Sequence, residues 1–218
     1  MPYVSPPGAG QTNIKSLNLY DDNIGTLHPT YVKLAEMREK CRDVVSGQDI
    51  IKSKTVKYLP KLSGQDNAAY ATYLNRALFF SIGAKSLQAI VGMASLKRPK
   101  VSAPNEIMAK YFNFTENLAF IEQYVRMVSE VSLQNQAYAY VEWPSNGGDA
   151  YTVILPAESV INWDYDDNGD FSLVVIKEDY WKKVSKYKRE FVVRHRELTI
   201  ENGNYVQNIF ENNVKVKT

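Results

Sequence analysis

Apolar positions in the first part of the chain recur every three or four residues, which is the spacing of one helix face. The first run predicts a helix that begins at Pro29, because proline suits the first helical position, and that stops at Gly47. A second helical stretch is predicted from about 66 to 94, with a kink or break near Gly83 because glycine weakens a helix interior. A third helix is predicted from about 115 to 134.

Beyond the third helix the apolar period falls from 3.6 to 2, which is typical of strands. Strands are predicted over 137–143, 151–155, 159–163, 171–177, 191–196 and 205–210. Asn168-Gly169 is a strong two-residue hairpin signal, and 201–204 is a second turn. Helices followed by antiparallel strands predict an α+β fold, in which amino-terminal helices precede a mainly antiparallel β-sheet.

The same pattern divides the chain into three regions. Residues 1–26 are polar and turn-rich, and they predict an extended or flexible arm. A helical region follows over 27–135, in which Tyr58-Leu59-Pro60 is expected to be a short extended piece. An antiparallel β region covers 136–218.

Composition places the chain among folded proteins. Hydrophobic residues make up 44% of its 218 positions and charged residues 23%, which is enough to bury a core. The net charge of +2 gives no general attraction to nucleic acid or anionic lipid. Cys41 is the only cysteine, lies on the apolar face of the first predicted helix, and is expected to be a small core residue. The sequence predicts no signal peptide and no membrane-spanning helix.

Side chains that carry chemistry are few. The two histidines, His28 and His195, belong to no catalytic motif and are expected to be structural; with one cysteine they cannot build a zinc site. No phosphate-binding glycine loop is present. The segment from Asp164 to Gly169 matches the first half of a calcium loop, but Val175 stands where the loop needs its last carboxylate. An acidic hairpin turn is therefore predicted, and no catalytic, metal-binding or cofactor-binding residue is expected.

Charge is distributed unevenly in the second half of the chain. Between 142 and 179 stand nine acidic residues and one lysine, whereas 180–196 holds seven basic residues and one glutamate. These blocks can pair across a hairpin, pair with a neighbouring copy of the chain, or lie on solvated strand faces. The candidate basic-patch residues are Lys97, Arg98, Lys182, Lys183, Arg194 and Arg196.

A series of short blocks runs through the chain in a defined order. The earlier blocks are His28-Pro29-x-Tyr31, Arg42-Asp43-Val44-Val45-x-Gly47, Tyr58-Leu59-Pro60-x-Leu62, Tyr70-x-x-Tyr73-x-x-Arg76-Ala77-x-Phe79, and Gly92 with Lys97-x-Pro99. The later blocks are Ala139-Tyr140-Val141-Glu142-Trp143-Pro144 and Ser159-Val160-Ile161-Asn162-Trp163. Their order and spacing resemble a family of tailed-bacteriophage portal (head-to-tail connector) proteins over about residues 28 to 165.

The resembling blocks are structural, so they supply no catalytic residue. Their rings and one arginine are candidate subunit-contact or family-motif residues, since tyrosine and tryptophan are enriched at interfaces. These candidates are Tyr58, Tyr70, Tyr73, Arg76, Phe79, Trp143 and Trp163.

The resemblance implies a structural subunit, not an enzyme, of a portal ring at one capsid vertex. Such a ring, a homododecamer, forms the channel for DNA packaging and ejection and the docking platform for terminase and for tail or adaptor proteins. The implied partners are further copies of the chain, the major capsid protein, the terminase large subunit, head-completion or adaptor proteins and the double-stranded DNA in the channel, with no membrane. The implied location is the virion, after assembly in the host cytoplasm.

Members of that family are longer than this chain. The chain therefore resembles their amino-terminal wing region, and the stem and clip segments are expected beyond residue 218.

Two other functions stay open from the residues alone. One is a carboxylate-dependent hydrolase that uses Asp164, Asp166 or Asp170. The other is a nucleic-acid-binding module that uses the basic stretch 180–196.

Overall fold

The computed structural model describes residues 23–97, 104–105, 118–142 and 150–217. Its fold is α+β, with amino-terminal helices followed by antiparallel strands, as the sequence predicts. The chain divides into two compact units. The sheet unit comprises the residues up to Glu36 and those from Leu155 onward, and the helical unit comprises Met37–Ile154.

The helices of the described ranges are α1 (Pro29–Ser46), α2 (Gln48–Ser53), a 3₁₀ turn (Thr55–Lys57), α3 (Asn67–Arg76), α4 (Ile82–Ala94) and α5 (Leu118–Gln134). The predicted start of α1 at Pro29 and its end before Gly47 are confirmed. Gly47 has a φ of 94°, a left-handed value that favours glycine and turns the chain from α1 into α2. The Asp66 side chain caps α3 by accepting a hydrogen bond from the backbone N–H of Ala69 at 2.7 Å.

The second helical stretch is interrupted, as predicted, but the interruption lies at 77–81, ahead of Gly83. Gly83 occupies the first turn of α4, where a Cβ atom would lie 2.8 Å from Cγ1 of Val44. The glycine therefore permits a close approach of α4 to α1 within the helical unit, and it does not mark a kink.

The predicted extended piece at Tyr58-Leu59-Pro60 is wrong. The backbone N–H groups of Tyr58 and Leu59 both donate to the carbonyl oxygen of Thr55, at 3.1 and 2.7 Å, so the chain turns there. The conformational restriction before a proline acts on Leu59 alone, which leaves Tyr58 able to close the turn.

The strands form two sheets. A two-stranded sheet contains β1 (Ala137–Glu142) and β2 (Tyr151–Pro156). A five-stranded antiparallel sheet contains, in chain order, β3 (Val160–Tyr165), β4 (Phe171–Lys183), β5 (Arg189–Glu201), β6 (Asn204–Glu211) and β7 (Val214–Lys217). The predicted strands are thus present, whereas β7 has no counterpart in the sequence prediction.

Tight turns connect the last three strands. Asn202 and Gly203 have φ values of 52° and 76°, and Asn212 and Asn213 have values of 49° and 65°. Positive φ at both central residues is the requirement of the two-residue hairpin turn whose twist matches that of the strands. The predicted turn at 201–204 is therefore confirmed in its position.

The core of the sheet unit is apolar and centred on β3 and β4. Val160, Ile161 and Ile176 are fully buried, and Val175 lies beside them. Val160 faces Ile176 in the register, with a bulge immediately after it. Burial of these branched side chains is the main source of stability for the sheet.

The hairpin formed by β4 and β5 extends past its neighbours. The two strands stay paired as far as Lys183 and Arg189. In contrast, β3 pairs with β4 only up to Ile176, and β6 pairs with β5 only from Arg194 onward. Residues 179–193, hereafter the distal hairpin, therefore form a two-stranded ribbon with no third strand in the described part of the chain.

Candidate functional site

Two of the sequence blocks meet in the sheet unit at the start of α1. The backbone N–H of His28 donates to the carbonyl oxygen of Ile161 at 2.9 Å, and the rings of His28 and Trp163 stack with centroids 4.1 Å apart. The Tyr31 hydroxyl donates to the carbonyl oxygen of Glu158 at 3.2 Å. Trp163 of β3 therefore packs against the residues that lead into α1.

A polar cluster joins α1 to the segment after it in the helical unit. Asp43 is only 5% exposed and accepts hydrogen bonds from Lys54 Nζ at 2.8 and 2.7 Å and from the Tyr58 hydroxyl at 2.5 Å. Glu39 accepts from the same Lys54 at 2.6 Å and pairs with Lys57 at 2.5 Å. Such partners are required because burial penalises an unpaired charge. Tyr58, a candidate motif residue, is thus bound by a residue of its own unit.

Glu39 and Lys54 of this cluster stabilise each other's charged forms. Burial alone would raise the pKa of Glu39, but hydrogen bonds from Lys54 and Lys57 outweigh burial and hold that pKa below its usual value. Burial alone would lower the pKa of Lys54, but the carboxylates of Asp43 and Glu39 outweigh it and raise that pKa. Glu39 and Lys54 therefore remain an ion pair, and the pairing holds α1 against the 3₁₀ turn.

Two further motif residues are held by hydrogen bonds, Tyr70 through its hydroxyl and Phe79 through its backbone N–H. The Tyr70 hydroxyl donates to the carbonyl oxygen of Leu59 at 2.8 Å. The backbone N–H of Phe79 donates to Gln48 Oε1 at 3.1 Å, which ties the link after α3 to α2. Tyr70 and Phe79 therefore contribute to the internal structure of the helical unit.

The end of α3 and the link that follows it are exposed. Tyr73 and Arg76 lie on the exposed surface of α3, and the side chains of Leu78 and Phe80 are 76% and 77% exposed. The predicted helical stretch over 66–94 covers the rings from Tyr70 to Phe80, but these rings do not lie on one helix, because 77–81 is not helical. Large apolar side chains are also exposed along α4 and just after it, at Ile82, Ile90, Met93 and Leu96.

The candidate basic residues do not form one patch within either unit. Lys97 belongs to the helical unit, whereas the remaining described candidates belong to the sheet unit. Arg194 and the buried Arg196 both bind Glu178, through contacts of 2.6 and 2.9 Å. The two cations share this carboxylate across the β4–β5 hairpin, which is one of the pairings that the charge blocks predict.

Glu211 of β6 binds the base of the distal hairpin. Its carboxylate accepts a hydrogen bond from the Tyr180 hydroxyl at 2.7 Å and from Lys182 Nζ at 2.8 Å. These hydrogen bonds lower the pKa of Glu211 and raise the pKa values of Tyr180 and Lys182. Lys183 is exposed beside this group.

The predicted acidic hairpin connects β3 to β4, but its loop spans 166–170 and is not a two-residue turn at Asn168-Gly169, because Gly169 has a positive φ of 86° and Asn168 does not. Asp166 Oδ1 accepts from the backbone N–H groups of Asn168 and Asp170, both at 2.9 Å. The hydrogen bond from Asp170, assisted by Asn168, lowers the pKa of Asp166. Residues 164–170, hereafter the acidic turn, are all exposed to solvent, and these hydrogen bonds are local to the turn.

His195 is buried in the middle of the sheet, with 5% of its surface exposed. Its register neighbours are Lys177 on β4 and Phe210 on β6. Burial and then the charge of Lys177 lower the pKa of His195, while Asp179 opposes them. His195 Nδ1 and Asp179 Oδ1 have no hydrogen-bond partner among the residues that the structure describes. Strand register alone brings Lys177 beside His195, so the linear sequence carries no signal for this contact.

Trp143 and Arg98 lie outside the described residues. Cys41 is a free thiol and is half-buried on α1.

A scan against models of known protein families matches none of them, and a search of curated proteins finds no significant match. None of the helices in the described ranges has both the length and the apolar character needed to cross a membrane. Over the same ranges, no three His, Cys, Asp or Glu side chains are grouped in a way that could hold a metal ion.

Proposed function

We propose that this chain is part of a structural subunit of a bacteriophage portal ring at one capsid vertex. The observation that carries the proposal is the ordered series of sequence blocks, whose members contact one another across long stretches of chain. His28 stacks on Trp163, and Asp43 binds Tyr58. Where the residues that a family shares are structural, those residues are expected to make internal contacts of this kind.

Exposed apolar side chains support assembly with further copies. Leu78, Phe80 and Ile82 follow one another at alternate positions and are all largely exposed. A contiguous apolar surface is a mark of a protein–protein contact, because leaving it in water forgoes the free energy of burial. A ring subunit needs two such surfaces, since each copy contacts one neighbour on either side.

The proposed role is mechanical and involves no bond-breaking by this chain. The ring, proposed to be a homododecamer, forms the channel through which double-stranded DNA enters and leaves the virion. Its further partners are the major capsid protein, the terminase large subunit and the head-completion or adaptor proteins. The pairing of Arg194 and Arg196 with Glu178 is compatible with this role, because unpaired cations would hold phosphate strongly.

Labelling of assembled particles tests the proposal. The complete gene product is tagged, shown to replace the untagged protein, and located on capsids by electron microscopy. One label focus per capsid is expected, together with empty capsids when the gene is inactivated. Label spread over the whole capsid, or DNA-filled capsids that lack the product, would contradict the proposal.

A further inference from the structure

The tip of the distal hairpin is basic and aromatic. Residues 182–189 hold five basic side chains and no acidic one. The rings of Trp181 and Phe191 meet edge to face, with centroids 5.5 Å apart, and both are exposed. Tyr187 in the connecting turn is 84% exposed. An exposed apolar surface at the end of a projecting ribbon marks a contact surface.

Three of the five cations of the tip form no ion pair with any described residue, and one of them, Lys186, lies over the ring of Tyr187. Lys182 is paired with Glu211 and Lys188 with Glu190. In contrast, Lys183 and its register partner Arg189 form no ion pair with any described residue. They stand two positions along the ribbon from the Trp181–Phe191 pair, so the four side chains share one face. This face combines a positive charge of two with half-exposed rings.

The acidic turn lies at the opposite end of β4. It contains four aspartates and no basic residue. Because β4 has 13 residues, its ends are roughly 40 Å apart at about 3.3 Å per residue. The acidic turn and the hairpin tip of one copy therefore cannot meet each other, whereas those of two different copies can.

We infer that the distal hairpin of one copy docks against the acidic turn of a neighbouring copy. The inference rests on the proposed ring and names one of its contacts. Two different surfaces at opposite ends of a strand make a heterologous contact, which is the type that generates rings. A second copy fits better than duplex DNA, because the exposed, stacked rings of Tyr165 and Phe171 beside the acidic turn offer an apolar surface to the tip rings, which a phosphate backbone does not.

Charge reversal tests the contact in the complete gene product. The hairpin variant is Lys183→Glu with Arg189→Glu, and the turn variant is Asp164→Lys with Asp167→Lys. Each variant alone removes the match of opposite charge at every contact between copies, so the assembled fraction measured by native mass spectrometry is expected to fall at least tenfold. An equimolar mixture of the two variants, or one chain that carries all four changes, is expected to restore assembly.

Matched controls separate this contact from a general charge effect. Lys215→Glu with Lys217→Glu reverses two exposed charges of β7, and Asp49→Lys with Glu122→Lys reverses two exposed charges of the helical unit. Neither control is expected to change the assembled fraction. Circular dichroism and the unfolding temperature establish that every variant is folded before its assembly is compared.

The outcomes distinguish the contact from the proposed ring. Closed rings that persist in both variants would overturn the contact and leave the ring standing. Open chains or dimers that follow the charge rules, without closed rings, would support the contact and contradict the ring. A hairpin variant that assembles normally but loses binding to duplex DNA would overturn the contact and assign the tip to nucleic acid. Restoration by mixing supports the contact, and closed rings in the mixture support its head-to-tail geometry.

Discussion

Lys54 donates two hydrogen bonds to the carboxylate of Asp43, at 2.8 and 2.7 Å, across the turn at Gly47 that separates α1 from α2. Asp43 is buried, so its charge depends on this partner and on the Tyr58 hydroxyl. The pair therefore fixes the path of the chain between its first two helices.

Replacing Asp43 by alanine is expected to lower the free energy of unfolding by about 3 kcal/mol, because the partly buried Lys54 loses its main partner. Urea denaturation of the wild type and the variant measures this loss. Asp49→Ala is the control, since Asp49 is exposed on α2 and its loss is expected to cost less than about 0.5 kcal/mol. Equal stability of the two variants would show that the cluster is not a structural link.

Gly83→Ala and Gly92→Ala change the same helix with opposite expected results. A Cβ at Gly83 would lie 2.8 Å from Cγ1 of Val44, a stiff branched side chain, so this variant is expected to lose about 1–3 kcal/mol. A Cβ at Gly92 meets nothing within 4 Å, so this variant is expected to gain up to about 1 kcal/mol from helix propensity. Thermal unfolding of both compares them directly. Stabilisation by both substitutions would contradict the close packing of α4.

Because of His195, the protein is expected to lose stability as the pH falls. The pKa of His195 is lowered by burial in the folded protein, so below the usual histidine pKa the unfolded chain binds the proton more readily. Stability therefore falls as the pH drops from 7.5 to 5.5, by at most about 1.4 kcal/mol per pH unit from this group. Urea denaturation at both pH values checks the slope. In His195→Gln this contribution is expected to vanish, and an unchanged slope in that variant would show that other groups cause it.

Replacing Glu178 by glutamine is expected to lower the stability of the protein. Glu178→Gln removes the charge that Arg194 and the buried Arg196 share, so a loss of about 2 kcal/mol is expected. Glu190→Gln is the control, because Glu190 is exposed and its ion pair with Lys188 contributes less than about 1 kcal/mol. The unfolding temperatures of the two variants provide the comparison. A lower unfolding temperature for Glu190→Gln than for Glu178→Gln would contradict the assigned role of the pair.

The helices and most strands could be predicted because burial of one face leaves a period in the sequence. Pro29, Gly47 and Asn168-Gly169 also carry local conformational signals that need no tertiary contact. The distal hairpin could not be predicted, because most of its residues are exposed on both faces and so lack the alternation that marks a half-buried strand.

The candidate residues were named from the sequence, but their contacts could not be predicted from it. The contact of His28 with Trp163 depends on where α1 begins relative to β3, which no local pattern encodes. The burial of Asp43 depends on Lys54, which is brought back to it by the turn at Gly47. Charge blocks predicted pairing across a hairpin, but only the register shows that Glu178 takes both Arg194 and Arg196.

Native mass spectrometry of the complete gene product tests the proposed ring most directly. The spectra are recorded over a range of protein concentrations and ionic strengths. One closed assembly of fixed copy number, expected to be twelve from the family resemblance, is the predicted result. A product that stays monomeric under every condition would contradict the proposal.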